Sequence, residues 1–265
     1  MRAIRVLPLL IVVAFLSCGD EGTSPGGGDE TFQLQVVVND ASGAPIPGVR
    51  VSAWNKTPDW VAALVGYRGT PAPAAYQSHL PDDLPRLLVN MPNPFSTITT
   101  WRVYLPGYLS ARLQLFDIEG NLDTTLLDDQ FPAGMHTRSW QIHSASHASA
   151  VYEARFSVWT STRDTLVFED TLYAAFYRPE IEAHNGVIGF TDDNGLLVIA
   201  DRLFFPGSYD LPPLEAVDEE GVSHGAFDFS DTAVFTLVDT STGVRQVFEE
   251  RITAGSNDLK LTWAR

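Results

Sequence analysis

The sequence predicts an all-β chain of two β-sandwiches, the second inserted in a loop of the first. Three observations lead there. Beyond residue 30, apolar and polar residues alternate with a period of two along most of the chain, the pattern of strands with one buried face. Clusters of Gly, Asp, Asn and Pro cut those stretches at short intervals and supply the positive φ and local hydrogen bonds that turns need. No long segment repeats apolar residues at the helical spacing of three and four.

Taken in order, Phe32, Leu34, Val36 and Val38 alternate with Gln33, Gln35 and Asn39. Asp40 to Gly43 reads as a turn, and Val49, Val51 and Ala53 alternate again. Asp59 to Val65 is the best helical candidate, and its length of about two turns makes it marginal. From Thr57 to Pro85 the prolines 58, 71, 73, 81 and 85 remove backbone donors, so no central strand is expected there. Alternation resumes at Thr97, with Trp101, Val103 and Leu105 on one face and Arg102 and Tyr104 on the other. Turns follow at Pro106-Gly107 and at Asp117 to Asn121. Strands are expected at His136 to Gln141, Tyr152 to Trp159 and Leu166 to Tyr177. Later, Thr191 to Gly195 reads as a hairpin turn between Val187 to Phe190 and Leu196 to Ala200. Pro206 to Tyr209 is expected to turn into a strand. Val234 to Val238 and Val244 to Ile252 flank a turn at Asp239 to Gly243, and Leu259, Leu261 and Trp263 alternate at the end.

Residues 31–57 supply only a hairpin's worth of strands, which is unstable alone in water. The segment after 181 is rich in strands that need partners. The organisation expected is therefore a split sandwich from 31–57 plus 181–265, a Pro-rich linker at 58–84, and an inserted sandwich at 85–178. Insertion at an exposed loop is tolerated when the guest's termini lie close together.

Family resemblances point the same way. "LVNMPNPFSTITTWRVYLPG", "ARLQLFDIEGNL", "FPAGMHTRSW" and "AVYEARF" resemble, in that order, the immunoglobulin-like domain of the flagellar hook-capping protein. They are also similar to the C-terminal sorting domain of type IX secretion substrates. The Pro92-Asn93-Pro94-Phe95 stretch is expected to commit the chain to extended geometry and keep that edge from pairing with strangers. "VVVNDASGAPIPGVRVSAWN" resembles the opening of the carboxypeptidase regulatory, or transthyretin-like, sandwich. That family continues with a "TDDNGLLV" hairpin and a "PGSYDL" strand, both present here only after residue 190. Both resemblances imply adhesion, spacer or assembly modules rather than catalysis.

The N-terminus reads as a targeting segment. Arg2 and Arg5 precede an apolar run from Val6 to Leu16, too short to span a bilayer as a permanent helix. Cys18, the single cysteine, stands where a signal peptide would be cut. Phe15-Leu16-Ser17-Cys18 resembles the bacterial lipoprotein lipobox, with Phe15 at the usual leucine position. This resemblance implies a diacylglycerol on Cys18, removal of the signal within 1–18, and attachment to the bacterial envelope at the outer membrane or cell surface. Residues 19–30, with no apolar side chain to bury, would be a flexible tether. Across 265 residues the formal net charge is −16 and no Lys/Arg cluster occurs, so nucleic acid is not an expected partner. A membrane through the lipid, and a protein or glycan, are.

Candidate chemistry is sparse. Gly221-Val222-Ser223-His224-Gly225 matches G-x-S-x-G in form, yet lacks the strand before and helix after that a nucleophile elbow needs, so it reads as a polar loop. His143 and His147 have the spacing of a helical zinc pair without helical surroundings, and read as a solvated loop. Asp192, Asp193 and Asn194 offer oxygens to calcium but lack EF-hand spacing, and read as a turn. No cofactor or catalytic residue is expected. Of the six tryptophans, most lie on alternating strands and are core candidates. Trp54 and Trp60, near the insertion junction, are the candidates for ligand or interdomain contact.

Overall fold

The computed structural model describes residues 32–58, 60–61, 83–142, 149–177 and 187–263. Cys18, the tether, most of the linker, and His143 and His147 lie outside them. The first described strands are β1 (Gln33–Asp40) and β2 (Val49–Asn55). Then come β3 (Arg86–Met91), β4 (Ile98–Leu105), β5 (Leu109–Asp117), β6 (Leu122–Phe131), β7 (Gly134–Gln141), β8 (Ser149–Trp159) and β9 (Leu166–Tyr177). Last are β10 (Val187–Phe190), β11 (Leu196–Ile199), β12 (Leu214–Val217), β13 (Ser223–Phe227), β14 (Thr232–Asp239), β15 (Arg245–Arg251) and β16 (Ser256–Trp263).

The strands pair as an all-β fold of two sandwiches, one interrupting the other. In the host, one sheet has the order β11-β1-β16 and the other β10-β2-β14-β15. β1 runs parallel to β16 and antiparallel to β11, so a strand near the start of the chain lies between two strands that follow the guest. Its Leu34, Val36 and Val38 are fully buried and meet Val51, Phe205, Phe235 and Leu261 in the host core. In the guest, β3-β4-β7 faces β6-β5-β8-β9. Trp101, Val103 and Leu105 point into its core with Leu113, Phe156 and Phe176.

Several expectations are corrected. The Thr191 to Gly195 turn does not make a hairpin: β10 pairs with β2 in one sheet and β11 with β1 in the other. The cause is local. The Thr191 hydroxyl is buried, accepts from the N–H of Val49 at 3.0 Å and donates to the carbonyl of Ile46 at 2.9 Å. The turn is thereby held against the β1–β2 connection, where the chain changes sheets. β1 and β2 likewise enter different sheets rather than pairing with each other. "PGSYDL" is not a strand: Pro206–Ser208 forms a 3-10 turn. Asn55, fully buried, accepts from the N–H of Gly207 at 2.9 Å and donates to the carbonyl of Ser230 at 2.9 Å, which draws this segment inward. Ser223 lies on β13 and not in a loop. Of the helical candidate, Trp60 and Val61 are helical and the remainder lies outside the described residues.

Candidate functional site

The place where chemistry concentrates is the seam between host and guest. β12 and β13 form a separate antiparallel pair. Leu214 and Ala216 of β12 and Phe227 of β13 are buried in one cluster with Val151, Ala175 and Tyr177 of the guest. Trp54, on the outer end of β2, joins this cluster and is only 7% exposed. Trp60 is 43% exposed, with its ring edge-on to Phe227 at 6.5 Å. Thus one of the two tryptophans singled out from the sequence lies inside the seam and the other at its rim.

Asn93 is the polar centre of that seam. The peptide bonds into Pro92 and Pro94 are both cis, and neither proline brings an N–H that would need a partner. Asn93 exchanges two main-chain hydrogen bonds with Val217 of β12, each 2.7 Å. Its side chain is fully buried. Oδ1 accepts from the N–H of Ala175 on β9 at 2.7 Å, and Nδ2 donates to the carbonyl of Glu215 on β12 at 2.7 Å. Those two partners fix the amide's orientation. Phe95 then exchanges main-chain bonds with β9, donating to Ala175 and accepting from Tyr177. The residues between and after the prolines pair on both sides within the chain, first with the host, then with the guest. At another point of the seam, the Tyr209 hydroxyl donates to Glu119 at 3.2 Å while the Arg202 guanidinium stacks on its ring at 3.9 Å. Burial, then the Glu119 charge, pushes the Tyr209 phenol up.

The remaining candidates do not assemble. Ser223 and His224 are neighbours at a bulge of β13, where the register with β12 shifts. His224 Nε2 meets Asp218 at 2.8 Å, and this pair closes the β12–β13 turn. Asp192 Oδ1 accepts from the N–H groups of Asn194 and Leu196 at 2.8 and 2.9 Å, so its oxygen caps the turn. Asp40, Asp117 and Asp239 cap theirs the same way. The Asp239 carboxyl is lowered to about 2, first by the Ser241 hydroxyl and then by its N–H. Among the described residues no group of three or more His, Cys, Asp or Glu side chains is gathered as metal ligands.

No protein-family profile matches the chain, and no curated protein matches it. Among solved structures, the crystal structure of BcpA, the major pilin subunit of Bacillus cereus, aligns over 88% of this chain and 98% of its own, with 8% identity and a TM-score of 0.20. A single-residue variant of that pilin aligns over the same shares with 8% identity and a TM-score of 0.18.

Proposed function

We propose that this chain is a non-catalytic lipoprotein of the bacterial envelope, in which two fused β-sandwiches act as a structural or binding module. A diacylglycerol on Cys18 holds it at the outer membrane or cell surface, and residues 19–30 space the body from the lipid. The packing of the seam among the described residues carries the structural part of this reading. Two-domain proteins that work on a small ligand usually keep a cleft between the domains. Here the facing surfaces are filled by Trp54, Ala175, Tyr177 and Phe227 and bridged by Asn93, which suits a unit that transmits position. The lipobox resemblance supports the anchor. The alternative, an accessory module for polysaccharide or peptide, gains no sugar platform from Trp54, whose ring is covered.

Anchoring is tested by expression in a host that processes lipoproteins. The wild type enters the detergent phase and gains acyl mass on Cys18, with at least two chains because one binds a membrane only marginally. Cys18→Ser stays aqueous and gains none. An aqueous wild type without added mass sinks the lipoprotein reading.

A further inference from the structure

Among the described residues the guest sandwich is open along one side. β6 ends one of its sheets and β7 the other, and among the described residues no further strand lies beside either. Between them is a cavity of about 550 Å³, walled by Asp123 of β6, Ser139, Trp140 and Gln141 of β7, and Tyr152 of β8. The Ile142 N–H donates to the Thr97 carbonyl at 3.0 Å. In an antiparallel ladder that register aims the main-chain groups of Ile142 and Trp140 at β4, and those of Gln141 and Ser139 at the open edge. Among the described residues the wall is thus an unpaired strand edge that presents donors and acceptors in alternation.

The same wall lacks a cation. Asp123 has its carboxyl pushed up by burial and then by the Asp117 charge. The Tyr152 phenol is raised to about 12 by burial, then by Asp123 and Asp117. No basic side chain is among the described residues lining the cavity. Trp140 and Tyr152 meet edge-on at 4.7 Å and supply an apolar flank. A positive group at Asp123 relieves the repulsion, and the −16 charge of the chain draws basic partners toward it.

We propose that this groove docks an extended segment of a partner protein that carries a lysine or arginine. The segment adds to the free edge of β7 through the main chain of Ser139 and Gln141, and its ammonium or guanidinium sits at Asp123. Strand addition of this kind takes affinity from main-chain bonds and specificity from alternate side chains. This proposal does not depend on the lipid anchor.

The test uses the full chain in mild detergent and three capped pentapeptides: Thr-Val-Lys-Val-Thr, the same with Glu for Lys, and the same with both Val replaced by Pro. Calorimetry should show binding of the Lys peptide, at least about tenfold weaker binding of the Glu peptide, and none of the Pro peptide. Asp123→Asn should lower affinity for the Lys peptide about tenfold and abolish the Lys/Glu difference. Asp258→Asn, on the host, should leave both intact. Hydrogen exchange on the unsubstituted chain adds a readout that needs no variant: the Lys peptide should slow the Ser139 and Gln141 amides. Equal binding of the Lys and Glu peptides, no binding at millimolar peptide, indifference to Asp123→Asn in a folded variant, or unslowed amides each overturns the proposal. So does binding of a glucosamine oligomer in place of the peptide, which would make the groove a glycan site.

Discussion

Replacing Asn93 with alanine removes the side chain that ties guest to host. The Ala175 N–H and the Glu215 carbonyl lose their partners, both now at 2.7 Å from the amide. Ala175 and residue 93 are fully buried, so water does not readily replace them. A buried polar group left unpaired costs about 1–3 kcal/mol, which puts the loss near 3 kcal/mol for the two. A folded domain has only about 5–15 kcal/mol to lose, and at this chain size about 3 kcal/mol corresponds to roughly 6–12 °C in melting temperature. The main-chain bonds of residue 93 to Val217 survive, so the seam weakens without opening. The assay is chemical denaturation of wild type and Asn93→Ala side by side, with amide exchange at Ala175 as the local readout. Tyr108→Phe is the control, since its hydroxyl bond to Gln130 is exposed and its loss should stay within about 0.5 kcal/mol. If Asn93→Ala shifts no more than that control, or Ala175 exchanges no faster, the seam does not rest on this amide.

Three further outcomes are expected. Gly207→Ala places a methyl against the Ser230 carbonyl, 2.7 Å from its carbon, and rigid backbone cannot yield, so a loss of about 1–3 kcal/mol or more is expected. Gly189→Ala meets only the tip of the Leu197 side chain at 2.8 Å and should melt closer to wild type; equal melts would refute the contrast. Burial raises the Asp218 carboxyl, but His224 and the Val222 N–H outweigh it and hold it below the ordinary range. Its stabilisation is therefore complete above the ordinary carboxylate range and lost as pH falls below it, through the depressed folded value. The stability gap between wild type and Asp218→Asn should narrow on acidification, and a gap that widens refutes the assignment. Deleting 31–57 removes β1 and β2, interior strands of both host sheets. The remaining host strands should show no cooperative melt, and a native-like transition from 181–265 alone would contradict the split sandwich.

What the sequence shows and what it hides follow from the range of each signal. Strands with one buried face were legible: β1, β4 and β16 bury alternate residues as their periods require. β6 is not legible in the sequence because it lies at a sheet edge and buries only Leu127 within Leu122–Phe131, leaving no alternation to read. β13 is illegible for the same reason, with Phe227 alone buried. The Thr191 to Gly195 turn was legible as a turn but not as a change of sheet. Turn chemistry reports the bend, and the sheet that receives the next strand is set by partners far away in sequence. The split of the host was legible because unpartnered strands stood on both sides of a self-sufficient block.

The seam was legible as an anomaly and not as a contact. Two prolines around one asparagine mark residue 93 as unusual, but Val217 and Glu215 lie far along the chain, and no local period names them. The reason for asparagine there becomes clear only with the partners in view. An apolar side chain at 93 would also be buried beside Ala175 and Val217. It would leave the Ala175 N–H and the Glu215 carbonyl without the partners they have now. Asparagine presents one acceptor and one donor, and in this alignment both meet a partner at 2.7 Å. The apolar cluster around Trp54 and Phe227 supplies non-directional strength, whereas the Asn93 amide adds a directional contact across the seam, held by Ala175 within the guest and bonded to Glu215 of the host.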